Sequence, residues 1–292
     1  MASMADNESQ LWELSTRSEA VYLDAVTDDA SSGFIARVCR FPEEQLAWVW
    51  LHVFHHGHVH SYTSHEVRCD SDPVDESGSP VSYTAGDFDF SRSGDRFSPS
   101  EVSVSVSAAL HSGPSSPHGE GVLPCELRAM FEPVHAGVQT LAGRSEVLGI
   151  TRAVMILGDA RIELEAHGQF HEQVQREPRF TRPFTYATLR GADAGCIFVR
   201  GVRGASGTLT LGGTAHPVQS IAIEPPGTVR RFACRLEDGQ TVTGQAIATY
   251  QYDLPIFHML RTGSLVTAEL GGKRLSGCIN DLAFGDLEFD HF

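Results

Sequence analysis

Lysine is almost missing: Lys273 is the only one in 292 residues, and arginine supplies the rest of the positive charge. A Schiff-base mechanism is therefore excluded everywhere but at Lys273. Positive charge as a whole is scarce, with 22 Lys and Arg against 37 Asp and Glu and a formal charge of −15. That balance argues against nucleic acid and anionic membrane surfaces as partners, since both need a cationic face. Six cysteines (Cys39, Cys69, Cys125, Cys196, Cys234, Cys278) are scattered without a CxxC pair. Their spacing fits neither a zinc knuckle nor a dense disulfide framework and leaves free, mostly buried thiols as the expectation. No apolar run approaches the roughly 20 residues of a membrane helix. Met1–Gln10 is polar and acidic, without the basic and apolar regions of a secretory leader, so a soluble cytoplasmic protein with no membrane insertion is expected.

Familiar catalytic signatures are missing too. There is no Gly-x-Ser-x-Gly elbow, no P-loop and no Gly-x-Gly-x-x-Gly between a strand and a helix. The glycine-rich stretch from Gly201 to Gly207 links two strands and reads as a turn. The pairs Asp28-Asp29 and Glu43-Glu44 lie beside turn residues and read as solvated. Helical patterns are confined to Glu8–Leu14 and Pro255–Arg261.

What fills the chain is strand. Alternating or β-branched runs recur from Glu19–Val26 to Lys273–Ile279, divided by Gly158-Asp159, Gly212-Gly213, Asp238-Gly239 and Gly271-Gly272. Ser82–Phe90 reads as one such run. Short strands at this spacing predict an all-β chain of barrels or sandwiches. Ser71–Ser79 and Ser112–Gly121 are the loop-like stretches. A boundary near Val138–Gly143 gives domains 1–140 and 141–292, each with about eight strands, what one barrel needs.

Two segments carry candidate chemistry. In the first, Ile162, Leu164 and Ala166 share one side of a strand, with Arg161, Glu163, Glu165 and His167 on the other. The pattern breaks at Gly168, and His171 and Glu172 follow, as groups presented at a barrel rim or as a solvated strand end. The second lies between Leu46 and Glu66 and holds six of the 14 histidines. A two-residue turn at His56-Gly57 sets His55 opposite His58, with His60 on the same face, and gives the other face to Trp48, Trp50, His52 and Phe54. Three imidazoles on one face, His55, His58 and His60, are an alternative metal site. His58-x-His60 before Glu66 resembles the first cupin motif, but the spacing is long and no second motif follows. Otherwise these histidines are a solvated tip, or Trp48 and Trp50 wall a pocket with one histidine as its polar group. Tyr252 closes a long strand, as a proton donor or as aromatic rim packing.

The order of features resembles a two-domain bacterial family related to carotenoid 1,2-hydratase (hydroxyneurosporene synthase). The likeness runs through Glu19-Ala-Val-Tyr22, Gly33-Phe34, Phe41-Pro42 and the Trp48–Trp50 strand, then through the layout from Gly149 to Glu172. His171 falls at the family histidine, while Phe170 stands where the family has aspartate and no Trp-Gly follows. The resemblance implies two lipocalin-like antiparallel β-barrels and a site for a hydrophobic, isoprenoid- or polyketide-like molecule. It implies acid–base hydration or dehydration at a carbon–carbon double bond without a cofactor, with a cyclase or isomerase, or a carrier that catalyses nothing, as alternatives. In the hydratase version Glu172 protonates the alkene, and His171 or His167 orients water. Trp48, Trp50 and Tyr186 face the cation, with His52 and Phe170 in the same wall. Exposed strand edges permit a homodimer.

Overall fold

The computed structural model describes residues 17–283 except 76, 114–119, 135–136, 142, 177–178, 181, 202–203 and 257–258. The expected helix Glu8–Leu14 and most of the Ser112–Gly121 loop lie outside the described residues. Every regular element described is a β-strand apart from one 3-10 turn, Pro42–Glu44. No described helix is long and apolar enough to cross a membrane.

The first unit is a ring. β1 (Ser18–Val26), β2 (Ser32–Phe41), β3 (Leu46–His55) and β4 (His58–Arg68) form an antiparallel meander. On the far edge of β1 follow β11 (Ala160–Gln175), β10 (Arg144–Leu157), β8 (Glu120–Pro133) and β7 (Ser98–Ser112). β7 meets β4 at His60↔Ser112 and Ser61↔His111, which closes the circuit. The hairpin of β5 (Val81–Ala85) and β6 (Phe88–Asp95) continues from β7, and β9 (Val138–Leu141) borders β10. Phe34, Leu51, Phe90, Phe131 and Phe170 are among the residues filling the interior.

The second unit is a closed barrel of β12 (Phe184–Arg190), β13 (Ala194–Gly201), β14 (Gly204–Leu211), β15 (Thr214–Ile223), β16 (Val229–Leu236), β17 (Thr241–Ile256), β18 (Met259–Leu270) and β19 (Lys273–Ala283). Each strand pairs with the next, and β19 returns to β12. Gly212, Gly239, Gly271 and Gly272 supply the positive φ that the expected tight turns need.

Burial shows where the units meet. β16 alternates buried and exposed, as a strand with one wet face does. β1 is buried at every position, and β2 at all but its first, so both of their faces are covered. One face looks into the ring. The other packs Tyr22, Trp48, Trp50 and Phe54 against Tyr250, Tyr252, Leu254 and Ile256 of β17. Tyr250 clips the joint: its hydroxyl donates to the Ser31 carbonyl at 2.7 Å and accepts from the Gly57 amide at 3.0 Å.

Four features differ from the sequence expectations. Sheet membership changes between Gln175 and Phe184, whereas the division expected at 140/141 falls inside the first sheet, before β10. Gly143, with φ 70°, serves the turn into β10 and not a linker. The described residues of Pro255–Arg261 are strand, not helix: Leu254 and Ile256 have the period of two of a strand and are buried between the units, and β18 begins at Met259. Ser82–Phe90 is two strands, turned at Gly86 with φ 54°. Finally, β11 does not break at Gly168. A Cβ there would sit 2.1 Å from Thr151 Oγ1, so this glycine allows close approach inside a continuous strand.

Candidate active site between the barrels

The unbroken course of β11 decides where its polar residues go. His171 and Glu172 are neighbours on one strand and therefore point to opposite faces. Glu172 enters the ring, where Arg92 Nε donates to it at 2.7 Å and both groups are buried. Tyr83 lies beside it, its phenol pKa driven up by burial and then by the Glu172 charge. Phe170 also faces inward, against Phe131 at 6.1 Å. His167 stays at the rim, 20% exposed, with Asp28 at 3.7 Å. The expected trio of His167, His171 and Glu172 is thus spread over three environments.

His171 faces the second barrel as part of a row set by strand register: Trp50, Arg37, Tyr22, His171 and Glu146 lie abreast on β3, β2, β1, β11 and β10. The opposing barrel has its own row of Tyr186, Asn280, Gly263 and Tyr252. Gly263 is required there, because a Cβ would lie 2.1 Å from the Tyr252 ring. The bare backbone lets that ring cross β18 so that its hydroxyl donates to Asn280 Oδ1 on β19. The two rows touch through Tyr186, whose hydroxyl donates to Glu146 at 2.9 Å, and through His52, whose ring lies 4.8 Å from that of Tyr252. Asp24 holds the joint beside them, accepting from Tyr22 at 2.7 Å, from Thr188 at 3.5 Å and from Arg190.

The surroundings of His171 fix its chemical form. Its ring stacks on Tyr22 at 4.6 Å and meets Tyr186 edge-on at 6.2 Å. Arg144 Nη2 at 3.2 Å and Gln169 Nε2 at 3.3 Å converge on Nδ1. A guanidinium only donates, so Nδ1 is an acceptor. Burial, then Arg144, Arg37, Arg179 and Arg261, hold the pKa well below the usual histidine value. The ring is therefore neutral with its proton on Nε2, and that buried N–H has no partner.

Other unpartnered buried atoms gather here: Asn280 Nδ2, Arg37 Nε, Arg261 Nε, and Arg190 Nε and Nη2. All are donors; Gln169 Oε1 is the unpartnered acceptor nearby. His52 is a second buried neutral imidazole, its pKa lowered to about 3 by burial and then Arg261. Its Nδ1 pairs with Ser61 Oγ at 2.8 Å. A surplus of oriented donors in a dry site polarises a carbonyl and stabilises negative charge on its oxygen.

The structure thus brings His171, Tyr252, Trp48, Trp50, Tyr186 and His52 to one junction and leaves Glu172, Phe170 and His167 outside it. Tyr22, Asp24, Arg37, Arg144, Glu146, Arg190 and Asn280 join it without having been singled out in the sequence. Except for Asn280, which gave none, their available signal was an ionisable side chain in a strand otherwise apolar on both sides, as in Glu19–Val26. The metal alternative does not assemble. His55 lies across from His58 as the turn required. Yet His55 pairs with Ser32 at 2.9 Å and His60 with Ser112 at 3.3 Å, and no metal-binding group of three appears among the described residues. A separate cavity of about 1440 Å³ opens at the second barrel, lined by residues including Thr185, Arg230, Phe232 and Asp281. Inside it Arg230 pairs with Asp281 at 2.7 Å and Arg231 with Glu224 at 3.1 Å, and none of the junction side chains lines it apart from Arg190.

Two β-barrels joined along a buried seam define the structural class, and solved structures share it. CghA in complex with Sch210972 superposes with a TM-score of 0.63 at 11% identity, covering 91% of this chain and 88% of that one. A protein described as AttH from Nitrosomonas europaea gives 0.60 at 13% identity, over 91% and 92% of the two chains. Kievitone hydratase from Nectria haematococca gives 0.56 at 7% identity, over 91% and 89%. The fold expected from the resemblance, a pair of antiparallel β-barrels, is therefore one this chain shares with these structures. No family model matches the sequence, and no curated protein does.

Proposed function

We propose that this chain is an enzyme of cyclase or hydratase type that acts, without a cofactor, on an unsaturated carbonyl compound held between the barrels. One observation carries the reading: the junction concentrates buried, unpartnered donors around a neutral His171. Protonation of an unactivated alkene by Glu172 is not part of it, because that carboxylate is paired with Arg92 on the other face of β11. His171 Nε2–H and Asn280 Nδ2 instead hydrogen-bond a substrate carbonyl and withdraw electrons from the conjugated double bond. Trp50, Tyr186 and Tyr252 shape the chain around it so that the reacting carbons approach. Ring closure across the activated bond needs no further group. Conjugate hydration uses the same donors, with Tyr22 and its Asp24 partner as the pair that directs water. A fold shared with a hydratase supports that second version.

Polyunsaturated β-dicarbonyl compounds incubated with the protein distinguish these outcomes by mass. A product of unchanged mass is cyclisation or isomerisation, and a gain of one water is hydration. His171→Phe, which keeps the stacking on Tyr22 and removes the donor, is expected to slow either about 100-fold. Full turnover by that variant would refute the proposal.

A further inference from the structure

Eight arginines of the described chain are buried: Arg37, Arg40, Arg92, Arg144, Arg179, Arg190, Arg230 and Arg261. Five have a carboxylate partner: Arg40 has Glu19, Arg92 Glu172, Arg144 Glu146, Arg190 Asp24 and Arg230 Asp281. The other three, Arg37, Arg179 and Arg261, are exposed by only 4%, 8% and 4% and have none among the described residues. They lie at one place. Arg37 covers the faces of Trp50 at 4.7 Å and Phe180 at 5.7 Å, and Arg261 lies over Phe184 at 6.0 Å. The Phe180 and Phe184 rings stack at 6.1 Å and so bridge the two guanidiniums. Among the described residues Arg179 donates to neutral acceptors, Ser18 Oγ at 2.7 Å, Gln173 Oε1 at 3.0 Å and the Gln173 carbonyl at 3.2 Å.

We propose that the compound held between the barrels is an apolar molecule bearing an anionic oxygen group, a carboxylate or an enolate, which Arg37, Arg179 and Arg261 receive. This rests on the junction being a ligand site. Like charges placed together in a dry interior, without a counter-ion, oppose folding unless something else supplies the negative charge. Burial first, then the neighbouring Arg179, lowers Arg37 to about 9, the mark of a cation lacking an anion. The chain carries an overall charge of −15, yet none of its described acids pairs with these three arginines. Planar guanidiniums flanked by aromatic rings suit a delocalised oxyanion on an apolar body.

A matched pair of dyes tests this: 8-anilinonaphthalene-1-sulfonate and N-phenyl-1-naphthylamine, which share a ring framework and differ by the sulfonate. Quenching of tryptophan fluorescence reports binding beside Trp50. The wild-type protein should bind the sulfonate about tenfold more tightly than the neutral dye. Arg37→Gln and Arg261→Gln should each weaken the sulfonate about fivefold and leave the neutral dye within about twofold. Equal affinity for both dyes would overturn the anion inference while leaving a ligand site in place, whereas binding of neither would overturn the ligand site itself. Inorganic phosphate displacing the sulfonate dye at equal concentration would overturn the apolar body. Without dye, Arg37→Met should keep or raise Tm. A clear fall in that Tm would make the guanidinium structural and contradict the proposal.

Discussion

The two faces of β11 solve the same problem in opposite ways. Inside the ring, Glu172 is matched by Arg92, and aromatic and aliphatic side chains close around the pair. On the outer face His171 stands among guanidiniums that exceed their acids, beside donors without acceptors. The charges of the inner face are matched, although Glu172 Oε1 is buried without a hydrogen bond, whereas the guanidiniums of the outer face outnumber the acids described beside them. Burying an ionised group is tolerable only with its partner, so the inner arrangement is what stability selects. The outer arrangement costs stability and is the place to look for function.

The comparison breaks first at Arg92. Arg92→Leu strands Glu172 in the ring and should cost about 3–5 kcal/mol in urea unfolding, whereas Arg37→Leu should cost almost nothing. Equal losses would erase the distinction between the faces. Next comes catalysis: His171→Phe should lower kcat about 100-fold, roughly 3 kcal/mol of barrier, with Tm nearly unchanged. Gly263→Ala is smaller, since it pushes Tyr252 off Asn280 for about 1–3 kcal/mol, visible as a lower Tm and weaker ligand binding.

The pH dependence follows from the buried imidazoles. His52 has a folded pKa of about 3, below the unfolded value of 6.5, so the unfolded chain takes up the proton first. Stability is full above pH 6.5 and falls as pH drops toward 3, by about 1.4 kcal/mol per unit for this group alone. His171 acts in the same direction. His52→Leu should flatten the slope measured by unfolding between pH 6 and 4. An unchanged slope would show that His52 is not a buried neutral base. The smallest effect is expected from zinc, which should leave Tm unaltered because His55, His58 and His60 do not assemble.

Much of this was legible in the sequence, and for identifiable reasons. Period-two alternation and glycine turns exposed the strands, and the facing set Trp48, Trp50, His52 and Phe54 followed from one hairpin turn. The division of the chain was not legible, because β10 and β11 return to β1 over a distance of more than a hundred residues and no local signal records such a pairing. Gly168 misled for a related reason. A glycine that ends a strand and one that admits a neighbouring side chain look alike until the neighbour, Thr151, is in place. That single error put His171 and Glu172 on a common rim, where strand parity separates them. Asn280 carried no pattern at all; only the meeting of the two barrels gives it and Arg37 a shared site.

The most direct test is the tautomer of His171, read by long-range proton–nitrogen correlation NMR on histidine-labelled protein near neutral pH. The junction described here expects a neutral ring protonated at Nε2, with Nδ1 accepting from Arg144, and an Nε2 proton that shifts when ligand is added. A ring protonated at Nδ1, or an imidazolium, would contradict it, because the site would then lack the donor on which the chemistry depends.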